Sequence, residues 1–250
     1  MNDATWQAYL ADFHARKPGI TEQVLRRSRR DDGDAYEWLA AALPQTGRVL
    51  DVACGSSPLW PLPGRHYVGV DASTAELAAA RDRGVPHLVQ ATAAALPIPD
   101  ASVDAVTCSM SLQILTPLAD VLAEISRVLR PGGLLVATMP ARGPLRPADL
   151  PALAGLLVTL GRGLGYPNDP ALRQLPHHLT GAGLRLTADQ RLRFPYRLRS
   201  AADADLFLAS LYLPDLPDPQ HRAARRWLHA LAQLGSTLPV PIRRILAVRS

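Results

Sequence analysis

Between Arg48 and Met139 the sequence alternates short apolar runs with segments of helical character, and few folds satisfy that pattern. The runs are Arg48 to Ala53, His66 to Asp71, Pro86 to Gln90, Ser102 to Cys108 and Leu134 to Met139. Between them lie the alanine-rich stretch Thr74 to Arg83 and an amphipathic stretch from Pro117 to Leu129. In the latter, Leu118, Val121, Leu122, Ile125, Val128 and Leu129 fall on one side, and Pro131-Gly132-Gly133 is expected to stop the helix. Strands alternating with helices imply a parallel sheet with right-handed crossovers. Strands that are apolar almost throughout imply that both faces of that sheet are covered. The expected class is therefore α/β with a doubly wound, mostly parallel sheet.

The flanks are mostly helical. Residues 4–43 read as three helices. The first carries Trp6, Tyr9, Leu10 and Phe13 and is broken by Lys17-Pro18-Gly19. The second is capped by Thr21 and carries Val24 and Leu25, and the third runs from about Asp34 to Leu43. After Pro140 the pattern predicts a helix over Leu150 to Leu160 and a flexible Gly/Pro-rich loop over Gly161 to Pro170. A long strand over Leu184 to Leu198 and helices over Ala201 to Leu213 and Pro219 to Leu234 follow. A last strand, Val240 to Val248, is expected beside the preceding one.

Charge narrows the partners. The formal charge is +5, yet Lys17 is the only lysine, and the densest basic run, Arg26-Arg27-Ser28-Arg29-Arg30, is followed at once by Asp31, Asp32 and Asp34. Such a run reads as a solvated helix end, and no basic stripe with interleaved aromatics appears. Nucleic acid is therefore not the expected partner. Two cysteines, Cys54 and Cys108, do not make a disulfide framework, and neither they nor the histidines have zinc spacing. The N-terminal residues Met1 to Thr5 lack a signal pattern, and the longest apolar stretch, Leu153 to Leu160, is far below the ~20 residues of a membrane span. The expectation is a soluble cytoplasmic protein with no metal and no membrane partner; oligomeric state leaves no trace in the sequence.

In a doubly wound sheet, ligands bind at the carboxyl ends of the strands where the strand order reverses. The turn Ala53-Cys54-Gly55-Ser56-Ser57 follows the first strand; its small residues suit either close ligand approach or a tight strand-to-helix turn. Asp71 ends the second strand, where a carboxylate can accept from both hydroxyls of a ribose, or can cap the helix that follows, a task Ser73 performs equally well. Thr92-Ala93-Ala94 opens the loop after the third strand, where an apolar slot with edge hydrogen bonds suits an adenine ring, or where an ordinary proline-rich loop stands.

Together with Leu96 to Val106 and Arg127 to Gly133, these segments resemble the class I S-adenosylmethionine-dependent methyltransferases, particularly the branch acting on quinones, sterols and other small molecules. The resemblance implies a seven-stranded Rossmann-like sheet whose last strand is antiparallel, with N-terminal helices and a helical insertion before that strand. It divides the chain into an N-terminal helical cap, 1–44, and a methyltransferase domain, 45–250, with lid insertions at about 142–170 and 201–234. It implies S-adenosyl-L-methionine as cofactor and S-adenosyl-L-homocysteine as product. Asp51 would orient the turn and the methionine amino group, with Ala53, Cys54, Gly55 and Ser56 beneath the methionine. Asp71 and Ala72 would hold the ribose, Thr92, Ala93 and Ala94 the adenine, and Ser109 and Met110 would lie near the methyl group. Gln113 falls where relatives often carry a substrate-facing His or Glu.

This sequence departs from the family pattern in its turn, where Ala53 and Ser57 stand in place of two usual glycines, and Pro58, Pro61 and Pro63 leave little room for a full first helix. Thr92 stands where relatives often carry an acid. The acceptor pocket is expected among the flanking segments, with Phe194, Tyr196, Phe207, Tyr212 and Trp227 as wall or core. A protonated acceptor needs a base, for which Tyr9, His14, His177 and His178 are candidates, His14 and Tyr9 foremost. Two other functions fit less of the sequence: an rRNA or tRNA methyltransferase, and a methyltransferase fold serving as a cyclase or a scaffold.

Overall fold

The parallel half of the sheet forms where the apolar runs predict it. The computed structural model describes residues 3–250, so that Met1 and Asn2, with the readings made on them, lie outside the described residues. Three helices come first, α1 (Asp3–Arg16), α2 (Ile20–Arg27) and α3 (Ala35–Ala40). The chain then runs β1 (Gly47–Val52), β2 (Arg65–Asp71), α4 (Thr74–Asp82), β3 (Leu88–Gln90), β4 (Val103–Ser109), α5 (Leu118–Val128) and β5 (Leu129–Pro140). It ends with α6 (Leu150–Leu160), α7 (Asp169–Arg173), α8 (Leu175–Gly181), β6 (Leu184–Arg197), α9 (Ala201–Ser210), α10 (Asp218–Gln233) and β7 (Thr237–Arg249). The sheet order is β3-β2-β1-β4-β5-β7-β6, and β7 runs antiparallel to both its neighbours. The expected seven-stranded Rossmann-like sheet, N-terminal helices and helical insertion before the last strand are all present.

Burial follows the periodicity. On α5, Leu118, Val121, Leu122, Ile125 and Val128 are all buried, at helical spacing, against one face of the sheet. The other face is covered by α3 and by Leu59 and Leu62 of the β1–β2 connection. A separate apolar cluster joins α6, α9 and α10 to Val24, Tyr196 and Leu238. There Arg193 on β6 pairs with Asp149 at the start of α6, both side chains almost buried.

Several boundaries differ from the sequence pattern. No helix follows β1: three prolines lie between Ser57 and Gly64, and proline offers no N–H to a helical ladder. Helix α5 stops at Val128 rather than at Pro131-Gly132-Gly133. The residue before a proline avoids the helical region, and Leu129 already pairs with Val103 as strand. Thr21 lies inside α2, which Gly19 caps in the left-handed conformation. Asp34 caps α3 with a reciprocal Glu37 contact. The end of the loop expected to be flexible is pinned, since Asn168 donates its side-chain amide to the carbonyls of Leu112 and Leu115 at 2.7 and 2.6 Å. Helices α7 and α8 have no clear signature in the sequence.

Candidate functional site

The strand order reverses between β1 and β4, and a cavity of about 640 Å³ opens at the carboxyl ends of β1, β2 and β4. Its floor is the turn after β1. Ala53, Gly55 and Ser57 all adopt left-handed backbone, with φ of 54°, 55° and 56°. The conformation that glycine adopts freely is thus kept at two positions by residues that bear a Cβ, at a cost of ~1–2 kcal/mol each. The neighbouring strand holds it: the Cys54 N–H donates to the Val70 carbonyl at 3.0 Å and the Gly55 N–H to Asp71 Oδ2 at 2.8 Å.

Asp71 lines the cavity, and its second oxygen accepts from the Ser73 N–H at 2.8 Å. Ser73 caps α4 through its own hydroxyl, so the helix does not need the Asp71 carboxylate as its cap. Burial raises the Asp71 pKa, partly opposed by the Ser73 and Gly55 donors. Ala72 adjoins it, Thr92, Ala93 and Ala94 form one wall, and Ser109 and Met110 form another. Met110 is itself left-handed, φ 53°, with its N–H bonded to the Thr138 carbonyl at 2.8 Å.

The N-terminal helices close the cavity from above. Glu76, buried on α4, receives the Gly19 N–H on Oε2 at 2.9 Å and lies 2.8 Å from His14 Nδ1 through Oε1. The other ring nitrogen of His14 lies 3.0 Å from the Tyr212 hydroxyl. Glu22 accepts from the Ser56 hydroxyl at 2.7 Å and pairs with Arg83. Glu22, Asp71 and Glu76 all line the cavity, whereas no described arginine or lysine does, in a chain with 27 of them. The lining is therefore complementary to a cationic ligand and ill suited to a pyrophosphate, for which a helix N-terminus after β1 is also missing.

Comparison with known proteins agrees with this arrangement. A family profile described as "Methyltransferase domain" matches residues 50–137, the segment that builds the floor and walls. Residues 50–137 are therefore similar to a methyltransferase domain. A malonyl-[acyl-carrier protein] O-methyltransferase of Enterobacter lignolyticus (strain SCF1) is 37% identical over 138 residues, 53% of this chain and 53% of that one. A demethylmenaquinone methyltransferase of Mycobacterium sp. (strain KMS) is 36% identical over 132 residues, 52% of this chain and 57% of its own. The chain thus spans little more than half the length of these curated relatives. Among solved structures, the YcgJ protein from Bacillus subtilis superposes with a TM-score of 0.57 at 19% identity, covering 86% of this chain and 97% of that one, a likeness of fold.

Not every residue singled out in the sequence reaches the cavity. Asp51 does not line it. The Tyr67 hydroxyl and Thr107 Oγ1 donate to its two oxygens at 2.8 and 2.7 Å, and burial raises its pKa to about 7 against those two bonds. Gln113 is buried behind the wall, where its amide braces the Met110 carbonyl at 2.6 Å. Tyr9 also lies outside the lining and accepts from the Leu213 N–H at 2.9 Å. On α8, His177 is exposed and His178 half-buried, and neither lines the cavity. Of the five flanking aromatics, Tyr212 alone lines the cavity, while Phe194, Tyr196 and Phe207 are core and Trp227 donates to the Ala152 carbonyl at 3.1 Å. Glu22 and Glu76 escaped the sequence reading, because each is an ordinary helix glutamate until the cap is folded over it.

The basic run is spent on ion pairs: Arg26 with Asp34, Arg27 with Asp203, Arg29 with Glu37 and Arg30 with Asp32. No helix among the described residues is long and apolar enough to cross a membrane.

Proposed function

We propose that this protein transfers a methyl group from S-adenosyl-L-methionine to a small-molecule acceptor, releasing S-adenosyl-L-homocysteine. The observation that carries this reading is the acidic cavity of a basic chain, at the switch point of a methyltransferase domain. In this reading Asp71 and Ala72 hold the ribose, and Ala93 and Ala94 flank the adenine, with Thr92 at its edge. The turn from Ala53 to Ser56 passes beneath the methionine moiety, and Ser109 and Met110 adjoin its reactive end. The bound sulfonium supplies an electrophilic methyl group. The protein aligns the acceptor with that carbon and keeps water out. Asp51 acts from below, by fixing β1 to β2 and β4.

The acceptor side, formed by Leu10, Ala11, Ile114, Leu115 and Val121, is largely apolar, which favours a small organic molecule. The two named relatives act on a malonyl-[acyl-carrier protein] and on demethylmenaquinone, by their names, and small-molecule chemistry is what this chain shares with them in our reading. The ion-paired basic run supports the same preference over RNA. Cytoplasmic location belongs to the proposal and rests on the two free, buried cysteines.

Calorimetric titration tests it. S-adenosylmethionine and S-adenosylhomocysteine should both bind, and Asp71→Asn should weaken both about ten- to a hundredfold, the weight of one or two hydrogen bonds to a charged group. A folded protein that gives no heat with either ligand refutes the proposal.

A further inference from the structure

Glu76, His14 and Tyr212 form an unbroken chain of hydrogen bonds along the cavity wall, and none of the cofactor contacts assigned above uses it. Its polarity follows from its members. The Glu76 carboxylate only accepts, and its Oε2 is occupied by the Gly19 N–H. Oε1 therefore takes the Nδ1–H of His14, which leaves the lone pair of Nε2 facing the Tyr212 hydroxyl at 3.0 Å. The Tyr212 ring is fixed by edge contacts with Phe13 at 4.8 Å and Tyr166 at 6.2 Å between centroids. Burial raises the Tyr212 pKa, so the phenol keeps its proton and can pass one along without storing charge.

Acidic and hydroxyl groups surround the imidazole. Glu76 faces it from α4, Asp71 from the end of β2 and Tyr212 from the segment after α9, with Tyr9 and Tyr166 behind Tyr212. Glu22 on α2 is engaged by Ser56 and Arg83. The cations next to it in sequence are engaged elsewhere: Arg16, the last residue of α1, pairs with Asp12, and Lys17, just after the helix, donates to the Ala209 carbonyl at 3.0 Å.

We propose that His14 is the base that receives the proton of a hydroxyl acceptor through Tyr212, with Glu76 as the positioning residue. This rests on the methyl-transfer reading and deepens it, because it restricts the acceptor to phenols, enols or related O–H compounds. In the step, the acceptor O–H gives its proton to the Tyr212 oxygen as the Tyr212 proton passes to His14 Nε2. The acceptor oxygen forms the bond to the methyl carbon as the carbon–sulfur bond breaks, and that electron pair stays on sulfur. His14 returns its proton to water after product release.

The test sets catechol, 1-naphthol and 2-naphthol against aniline, 1-naphthylamine and benzylamine, with S-adenosylmethionine, reading S-adenosylhomocysteine release. Turnover is expected in the hydroxyl series, with kcat/KM rising with pH through one basic limb. His14→Gln should abolish that limb and lower kcat about a hundredfold or more, the range of general-base catalysis. Tyr212→Phe, which keeps the ring packing, should lower kcat at least tenfold. Glu76→Gln should move the limb to lower pH, because the imidazolium loses its counter-charge. S-adenosylhomocysteine affinity of Tyr212→Phe should stay within threefold of the parent protein. Turnover confined to the amines, turnover of neither series by a protein that binds the cofactor, or a limb that survives His14→Gln overturns the assignment. Absence of cofactor binding refutes the parent reading instead.

Discussion

Replacing Asp51 by asparagine tests the electrostatics beneath the cofactor turn. Asp51 is 1% exposed, its two oxygens accept from Tyr67 and Thr107, and burial raises its pKa from 3.8 to about 7. In the unfolded chain the carboxyl ionises near pH 4. Below that pH both states are protonated, and the native state keeps its full stability from this group. Between about pH 4 and pH 7 the unfolded state has lost the proton and the native state retains it, so stability falls as pH rises. Over that window the loss reaches about 4 kcal/mol, at ~1.36 kcal/mol for each pH unit. Asparagine does not titrate, and its amide can still serve both hydroxyls, which accept as well as donate. The stability of Asp51→Asn relative to the parent protein should therefore rise by about 3 kcal/mol between pH 4.5 and pH 7.5. Urea unfolding at four pH values measures it. A difference that is flat with pH, or that favours aspartate as pH rises, would show that the buried carboxylate is stabilised as an anion and would refute the reasoning.

Two further substitutions probe the scaffold. Ala53→Gly should stabilise the protein by about 0.5–1 kcal/mol, because relief of left-handed strain exceeds the added chain entropy of glycine; a thermal melt that moves downward contradicts the strain at φ 54°. Arg193→Ala leaves Asp149 buried without its counter-charge and should cost about 3–5 kcal/mol at pH 7. The Arg193 hydrogen bond holds the Asp149 pKa below its ordinary value, opposed by burial, so the pair's contribution is present at neutral pH and is lost as pH falls through the folded pKa. Denaturant curves of variant and parent should accordingly lie well apart at pH 7 and draw together as pH falls through the folded pKa of Asp149.

The sheet was legible because burial on both faces writes itself into the chain as apolar runs, and α5 because its inward positions recur every third or fourth residue. Strand ends were less legible. Asp51 lies one residue before the end of β1, much as Asp71 ends β2, and only Asp71 lines the cavity. Register places Asp51 beside Thr107 of β4, however, so its carboxylate is consumed within the sheet. Tyr9 illustrates the same limit on a helix. Gln7, Leu10, Ala11 and His14 fall within an arc of about 100° around α1 and line the cavity, while Tyr9 lies about 160° from Gln7 around the helix and bonds Leu213.

The contacts that make the site chemically distinctive span the chain. His14 meets Glu76 across 62 positions and Tyr212 across 198, and no local pattern encodes either meeting. The turn makes the converse point. Its glycines are mostly gone, which in sequence looks like loss of the cofactor site, yet Ala53 and Ser57 hold the left-handed backbone because β2 supplies the partners for Cys54 and Gly55. Glycine is the residue for which that conformation costs least; the hydrogen bonds from β2 are what determine it. Backbone shape at the floor and side-chain identity at the cap are therefore separable: the first lies in the segment that resembles known methyltransferases, and the second is what sets this cavity apart.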